Sequence, residues 1–191
     1  PGAVLVNETS HTLTGDGAAE IVAGTKTSIY FITKSGQVKD SETLDSHGMT
    51  EITGFAASPD HRTVYYGTKG NGLYSLSLTT HEQKFFHEAA MVSDLYCPVV
   101  APDGTIVFGM KTTSADPTEA VFCVNPDMTK KWSYTVAMKN AFNYCHPAID
   151  AQGNTYIGAN NGTLFKLDAG GKVANSWGVA TANGFMSAVN I

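Results

Sequence analysis

The chain has 191 residues, 42% of them hydrophobic and 15% charged, with 19 glycines and a formal net charge of −5. That length is enough for one domain with a substantial core, and low charge with abundant glycine suits a turn-rich β protein better than a helical one. The negative balance disfavours sequence-independent nucleic-acid binding, which needs clustered Lys and Arg on phosphates, and no apolar stretch approaches the length of a bilayer-spanning helix.

A strand-like run at 3–7 precedes the first of four similar units. That unit predicts strands at 12–13, 20–24, 28–33 and 37–44, the first of them poorly defined. The second predicts 52–58, 63–67, 72–78 and 83–87. The third predicts 95–101, a Pro102-Asp103-Gly104 turn, 105–110, a longer loop at 111–118 carrying Pro117, then 120–125, a Pro126-Asp127 turn and 131–136. Asp-Gly tolerates the positive φ of a tight turn. The fourth predicts 144–150, 154–158, 163–168 and 173–177, and 184–191 reads as the first strand of a fifth unit. No segment carries helical periodicity.

The glycine ending the second strand recurs at Gly24, Gly67, Gly109 and Gly158, in steps of 43, 42 and 49 residues. A period in the forties built from short apolar runs and turns is the signature of a β-propeller. Ile106-Val107-Phe108 and Ile29-Tyr30-Phe31-Ile32 lack polar alternation, as strands covered on both faces do. Tyr30, Tyr74, Phe122 and Phe165 form one recurring column in the third strands, assigned here to the core between blades. The expected fold is an all-β propeller of four-stranded antiparallel blades. It has about four blades plus partial strands at both ends, or is an arc of a larger ring. The whole of 1–191 is one such domain or a fragment of one, with repeats at 12–46, 47–90, 91–138 and 139–182 and a partial fifth at 183–191.

Two stretches carry a family resemblance. Cys97-Pro98-Val99-Val100-Ala101-Pro102-Asp103-Gly104-Thr105-Ile106-Val107-Phe108-Gly109 resembles the repeat of pyrroloquinoline-quinone-like (quinoprotein-like) β-propellers. So does His146-Pro147-Ala148-Ile149 with the following Asn161-Gly162-Thr163-Leu164-Phe165-Lys166-Leu167-Asp168. Trp132 and Trp177 stand where that family's blade-docking tryptophan falls. The first repeat, 15–24, looks more like an integrin-type blade. The family includes quinone-dependent dehydrogenases, cofactor-free scaffolds and extracytoplasmic sensors. Its dehydrogenases use an adjacent cysteine pair, a Glu/Asn/Asp calcium set and an acidic base. This chain has three separated cysteines, Cys97, Cys123 and Cys145, and no matching carboxylate set. An odd count without CxxC spacing also argues against a disulfide framework and a conventional zinc site.

Ligands of such scaffolds meet loops held on a rigid frame. The connections from second to third strands, and from each blade to the next, share one rim. Lys26, Lys69 and Lys111 each fall two residues after the repeat glycine, and Asn160 takes that place in the fourth repeat. Ammonium groups around one mouth attract anions. Asn and Asp beside Phe142 and Tyr144 suit hydrogen bonding with ring stacking. The expected rim contacts are Lys69, Lys111, Asn160, Asn143 and Tyr144. Gly54, Cys97, His146 and Met186 share a column near the axis, read as variable packing.

Together these features predict a non-catalytic, extracytoplasmic binding or assembly module that engages a protein or carbohydrate through its rim. No catalytic residue, metal or cofactor is expected, nor any nucleic-acid partner or transmembrane segment. Additional blades from another chain or segment complete the ring. The alternatives are part of a quinone-dependent dehydrogenase, using the quinone and calcium, or of a polysaccharide-degrading propeller enzyme.

Overall fold

Each repeat folds into an up-and-down sheet of four antiparallel strands. The computed structural model describes residues 3–6, 20–44, 51–70, 72–89, 91, 93–178 and 189. The first sheet joins β1 (Ala3–Val6), β2 (Glu20–Gly24), β3 (Ser28–Thr33) and β4 (Val38–Thr43) in chain order. The second joins β5 (Ile52–Ala57), β6 (Thr63–Thr68), β7 (Gly72–Ser77) and β8 (Gln83–Phe86). The third joins β9 (Val99–Val100), β10 (Ile106–Gly109), β11 (Thr118–Val124) and β12 (Lys130–Val136). The fourth joins β13 (Ala148–Ile149), β14 (Thr155–Gly158), β15 (Thr163–Leu167) and β16 (Val173–Gly178). The first strands lie side by side, β1 beside β5, β5 beside β9 and β9 beside β13. Sheets that meet along their first strands and stack face to face are propeller blades.

The central strands are covered on both faces, as their unbroken apolar runs require. Ile106, Val107, Phe108 and Gly109 are all buried, and so are Leu73, Tyr74, Ser75 and Leu76. Alternate side chains of each blade point back to the preceding blade or forward to the next. Val22, Ile29 and Phe31 of the first blade bury against Val64, Tyr66, Tyr74 and Leu76 of the second. Tyr65, Leu73 and Phe86 of the second meet Ile106, Phe108, Phe122 and Val124 of the third. Val107, Val121 and Cys123 of the third meet Ile157 and Leu167 of the fourth.

The repeat glycines allow this close stacking. A Cβ on Gly24 would lie 2.6 Å from Phe55 Cζ in the second blade. One on Gly67 would lie 2.3 Å from Leu95 Cδ2, and one on Gly109 2.6 Å from Ile157 Cδ1. Opposite the rim, carboxylates close the turns. Asp103 Oδ1 accepts the Thr105 amide (3.0 Å) and hydroxyl (2.7 Å), and Asp127 does the same for Thr129 at 3.0 and 2.6 Å. Asp168 Oδ1 accepts the amides of Gly170 and Lys172, both at 2.9 Å. The Thr105 and Thr129 bonds hold the Asp103 and Asp127 carboxyls below the ordinary carboxylate range, as the Ser58 hydroxyl does for Asp60 and the Asn154 side chain for Asp150.

Two expectations need correction, and one falls on undescribed residues. The run at 3–7 is not an extra strand: it supplies the first blade's inner strand, pairing Ala3 with Ala23 and Val6 with Glu20. The predicted strand at 12–13 lies outside the described residues. The inner strands of the third and fourth blades shrink to two residues each, because Pro98 and Pro147 have no amide to continue a ladder. Leu95 still bridges to Met110 ahead of Pro98. Tyr144, at φ 62°, leaves the extended region altogether.

The two tryptophans do not share a role. Trp132 Nε1 donates to the Ala169 carbonyl at 3.0 Å, and the indole lies on Gly171 in the β15–β16 turn of the next blade. Trp132 pairs with Cys123, whereas Trp177 pairs with Leu164, a register that places Trp177 level with Tyr134. The partial fifth repeat at 183–191 falls outside the described residues except Val189, whose amide donates to the His146 carbonyl at 3.3 Å.

Candidate functional site: the rim across blades two to four

The recurring position after the repeat glycine is set first by the backbone. The amides of Lys69, Lys111 and Asn160 donate to the carbonyls of Glu51 (2.9 Å), Asp94 (3.0 Å) and Ala141 (2.8 Å). Each bond stitches a rim turn to the segment leading into the same blade. Their side chains therefore emerge at equivalent places on the rim, half-buried in all three cases.

The lysine ring expected from the sequence is not a bare set of ammoniums. Lys69 Nζ lies 2.9 Å from Glu51 Oε2. That bond raises the Lys69 pKa and lowers that of Glu51. Glu51 also feels the charge of Lys26, with which it lines a shallow depression beside Gly24 and Thr25. The local charge is thus balanced, and the attraction for anions drawn from the sequence is weakened at Lys69.

Asn143 and Tyr144 meet at Tyr96, which the sequence reading did not single out. Tyr96 Oη donates to Asn143 Oδ1 at 2.6 Å. Its ring packs on Tyr144 with centroids 5.0 Å apart and planes at 47°. The Asn143 amide donates to Asn160 Oδ1 at 2.9 Å, and the Cys145 thiol approaches the same oxygen at 3.9 Å. Burial, then the nearby charge of Asp94, drives the Tyr96 phenol well above its ordinary pKa. Asp94 also lies close enough to Lys69 to support its charge, and Tyr144 lies within the same range of it. Lys69, Asn143, Tyr144 and Asn160 thus form one patch, which Lys111 joins through its backbone bond to Asp94.

This patch presents one exposed aromatic, Tyr144 (51% exposed), flanked by a buried phenol, two amides and an ion pair. A rigid aromatic with a polar surround is the usual anchor of a protein contact. Tyr96 leaves little mark in sequence, since its role depends on the loop bringing Asn143 beneath it.

The cysteines offer no nucleophile. Cys145 and Cys123 are buried, and burial pushes their thiols up to about 12 and about 11. Cys97 is also raised by burial and packs on Gly54, so the axial column is tight packing at these two positions. Met186 of that column lies outside the described residues. No group of three or more His, Cys, Asp or Glu able to hold a metal occurs among the described residues. Neither the adjacent cysteine pair nor the carboxylate set of the quinone enzymes is supplied by them. A crevice of about 210 Å³ opens between blades three and four on the opposite face, where Trp132, Lys131 and Asp103 meet Ala151, Gln152 and Ala169.

Solved structures share the fold. BamB from Moraxella catarrhalis superposes with a TM-score of 0.63 at 16% identity, over 84% of this chain and 45% of that one. A protein of unknown function from Bacteroides caccae gives 0.60 at 14% identity, over 84% of this chain and 58% of that one. At these identities the likeness is one of fold: the chain is built as a β-propeller. It spans about half the length of both neighbours. No family model matches the sequence, and no curated protein does.

Proposed function

We propose that this chain is a non-catalytic binding and assembly module of the quinoprotein-like type, working outside the cytoplasm and holding a protein partner on its rim. The observation that carries this reading is the patch shared by three blades. Tyr144 is an exposed anchor, fixed by Tyr96, Asn143 and Asn160 and ringed by the Lys69–Glu51 pair. The propeller fold shared with BamB supports an assembly role. The docking of Trp132 on Gly171 supports the repeat type. No cofactor takes part in this reading.

The test is site-specific crosslinking in the full protein in its own cell, with a photoreactive residue at Tyr144 and, as control, at Asp127 on the opposite face. A discrete protein adduct is expected at 144 and none at 127. It should be reduced by Lys69→Glu and by alanine at Asn143. Adducts confined to 127, or a quinone absorbance band after adding the quinone and calcium to the full protein, would overturn the proposal.

A further inference from the structure

On the face opposite the rim, the second and third blade junctions open at the same place. The second opening lies between Pro59, Asp60 and Tyr65 of one blade and the 102–104 turn of the next. The third lies between Pro102, Asp103 and Val107 and the 151–153 turn of the fourth blade. Tyr65 and Val107 hold the same position, two residues before the repeat glycine. Tyr65 is 2% exposed, and burial with the charge of Asp60 raises its pKa, so its hydroxyl end lies toward the Asp60 turn. Its ring floors a wide depression of about 360 Å³, which no residue of β7 or β8 lines. The third opening instead runs past Val107 to Cys123 on β11 and Ile149 on β13.

The pairing register shows what is missing there. At this level the two central strands pair Val22 with Phe31 in the first blade, Tyr65 with Ser75 in the second and Val107 with Cys123 in the third. The first two pairs each bring one ring to the next blade. Phe31 meets His81 edge-on at 6.2 Å, and Tyr65 packs into the core shared with Ile106 and Phe108. The third pair brings none. Trp132 stands opposite Cys123 on the outer strand, but its indole is held by the Ala169 carbonyl and lies on Gly171. It therefore walls the crevice instead of filling it. The space left, about 210 Å³, exceeds the roughly 150 Å³ of an apolar cavity that takes up benzene. At the mouth Lys131 Nζ donates to Asp103 Oδ2 at 3.2 Å, near Gln152.

We propose that this crevice binds a phenol, whose ring takes the place that Tyr65 fills one junction earlier and whose hydroxyl meets Asp103, Lys131 and Gln152 at the mouth. Carboxylate and amide oxygens accept a hydrogen bond from such a hydroxyl, and the ammonium donates one to it. Val107, Cys123 and Ile149 give the ring an apolar floor, and Trp132 gives it an aromatic wall. A ring without the hydroxyl would cover the polar mouth without pairing it, which costs affinity. A free small phenol and the tyrosine side chain of a protein share this chemistry. The site lies on the face opposite the rim, and the inference does not depend on the rim.

The chain has two tryptophans, Trp132 and Trp177, so its NMR spectrum carries two indole N–H signals, which Trp177→Phe tells apart. Adding p-cresol should move the Trp132 signal saturably and leave the Trp177 signal in place. Toluene, the same ring without the hydroxyl, should bind about tenfold more weakly. Val107→Tyr and Cys123→Phe rebuild the rings of the second and first junctions; both should fold and abolish the shift. N-acetyltyrosinamide that binds as well as p-cresol assigns the phenol to a protein side chain, whereas binding of p-cresol alone assigns it to a free molecule; either supports the site. No saturable shift, a shift confined to Trp177, equal affinity for toluene, or undiminished binding by a folded Val107→Tyr or Cys123→Phe protein would each overturn the proposal. Should both variants fail to fold, the p-cresol and toluene titrations of the unaltered chain decide.

Discussion

Trp132 and Gly171 should be energetically coupled across the third blade junction. Gly171 sits at φ 80°, and a Cβ there would lie 2.6 Å from Cδ2 and Cε3 of the indole. Gly171→Ala therefore carries two costs. The left-handed backbone costs an L-residue roughly 1 kcal/mol, and displacing the indole costs about 1–3 kcal/mol more. Trp132→Ala removes the 3.0 Å bond to the Ala169 carbonyl, about 1 kcal/mol, and the apolar contact of a half-buried ring. Its total should be about 2–3 kcal/mol, below the range for a fully buried Trp. With the indole gone, alanine at 171 should cost only its backbone term. Equilibrium urea unfolding of the two single variants, the double variant and the parent should thus give a coupling of about 1–3 kcal/mol. Additivity within about 0.5 kcal/mol would show that the indole does not press on Gly171 and would refute the docking argument.

Gly109→Val should destabilise by about 1–3 kcal/mol, since its Cβ meets Ile157 Cδ1 at 2.6 Å; adding Ile157→Ala should recover part of the loss in the same urea assay. Burial lowers the His146 pKa below its ordinary 6.5, so the unfolded chain takes up a proton that the folded chain resists. Stability from this residue is full above pH 6.5 and declines as pH falls below it, and His146→Gln should flatten that slope in thermal melts. The Asp103 carboxyl is held low by the Thr105 hydroxyl and amide, so its contribution is present above the ordinary value of 3.8 and lost as pH falls through the lower folded value. Asp103→Asn should therefore blunt acid unfolding, and an unchanged acid limb would show that the turn bond carries no weight.

Much of the scaffold was legible because blade geometry repeats. The strand-two glycines and the third-strand aromatics are forced by close stacking, so the spacing of Gly67, Gly109 and Gly158 carried the fold. The inner strands were less legible. Pro98 and Pro147 shorten their ladders, and the first inner strand, Ala3–Val6, is separated from β2 by a connection longer than any other repeat has at that point. The two tryptophans looked equivalent because both follow a turn by a few residues. The pairing register separates them: Asn175, not Trp177, takes the place in the fourth blade that Trp132 holds in the third. At the rim, Asn143, Tyr144 and Asn160 were readable as polar and aromatic loop residues. The pairing of Lys69 with Glu51 was not, because it depends on contact across 18 residues.

Tyr144 joins the scaffold argument to the rim. A non-glycine residue at φ 62° is under backbone strain, and such strain persists where the surroundings impose it. Here the Asn143 amide is held by Asn160, Asn143 itself by Tyr96, and Tyr144 is delivered to the rim with half its surface in water. Substitutions at 144 should therefore separate strain from contact. Alanine removes the ring but keeps the strained φ, whereas glycine removes both. Glycine should be the more stable of the two by about 1 kcal/mol, the reverse of the order in a regular strand. Both should abolish crosslinking through the rim, scored with the photoreactive residue at the exposed Lys139 of the same connection, because both lack the anchor. A protein in which alanine at 144 is as stable as glycine would mean that the backbone is relaxed. Tyr144 would then be present for packing on Tyr96, and the case for a preformed docking patch would fail.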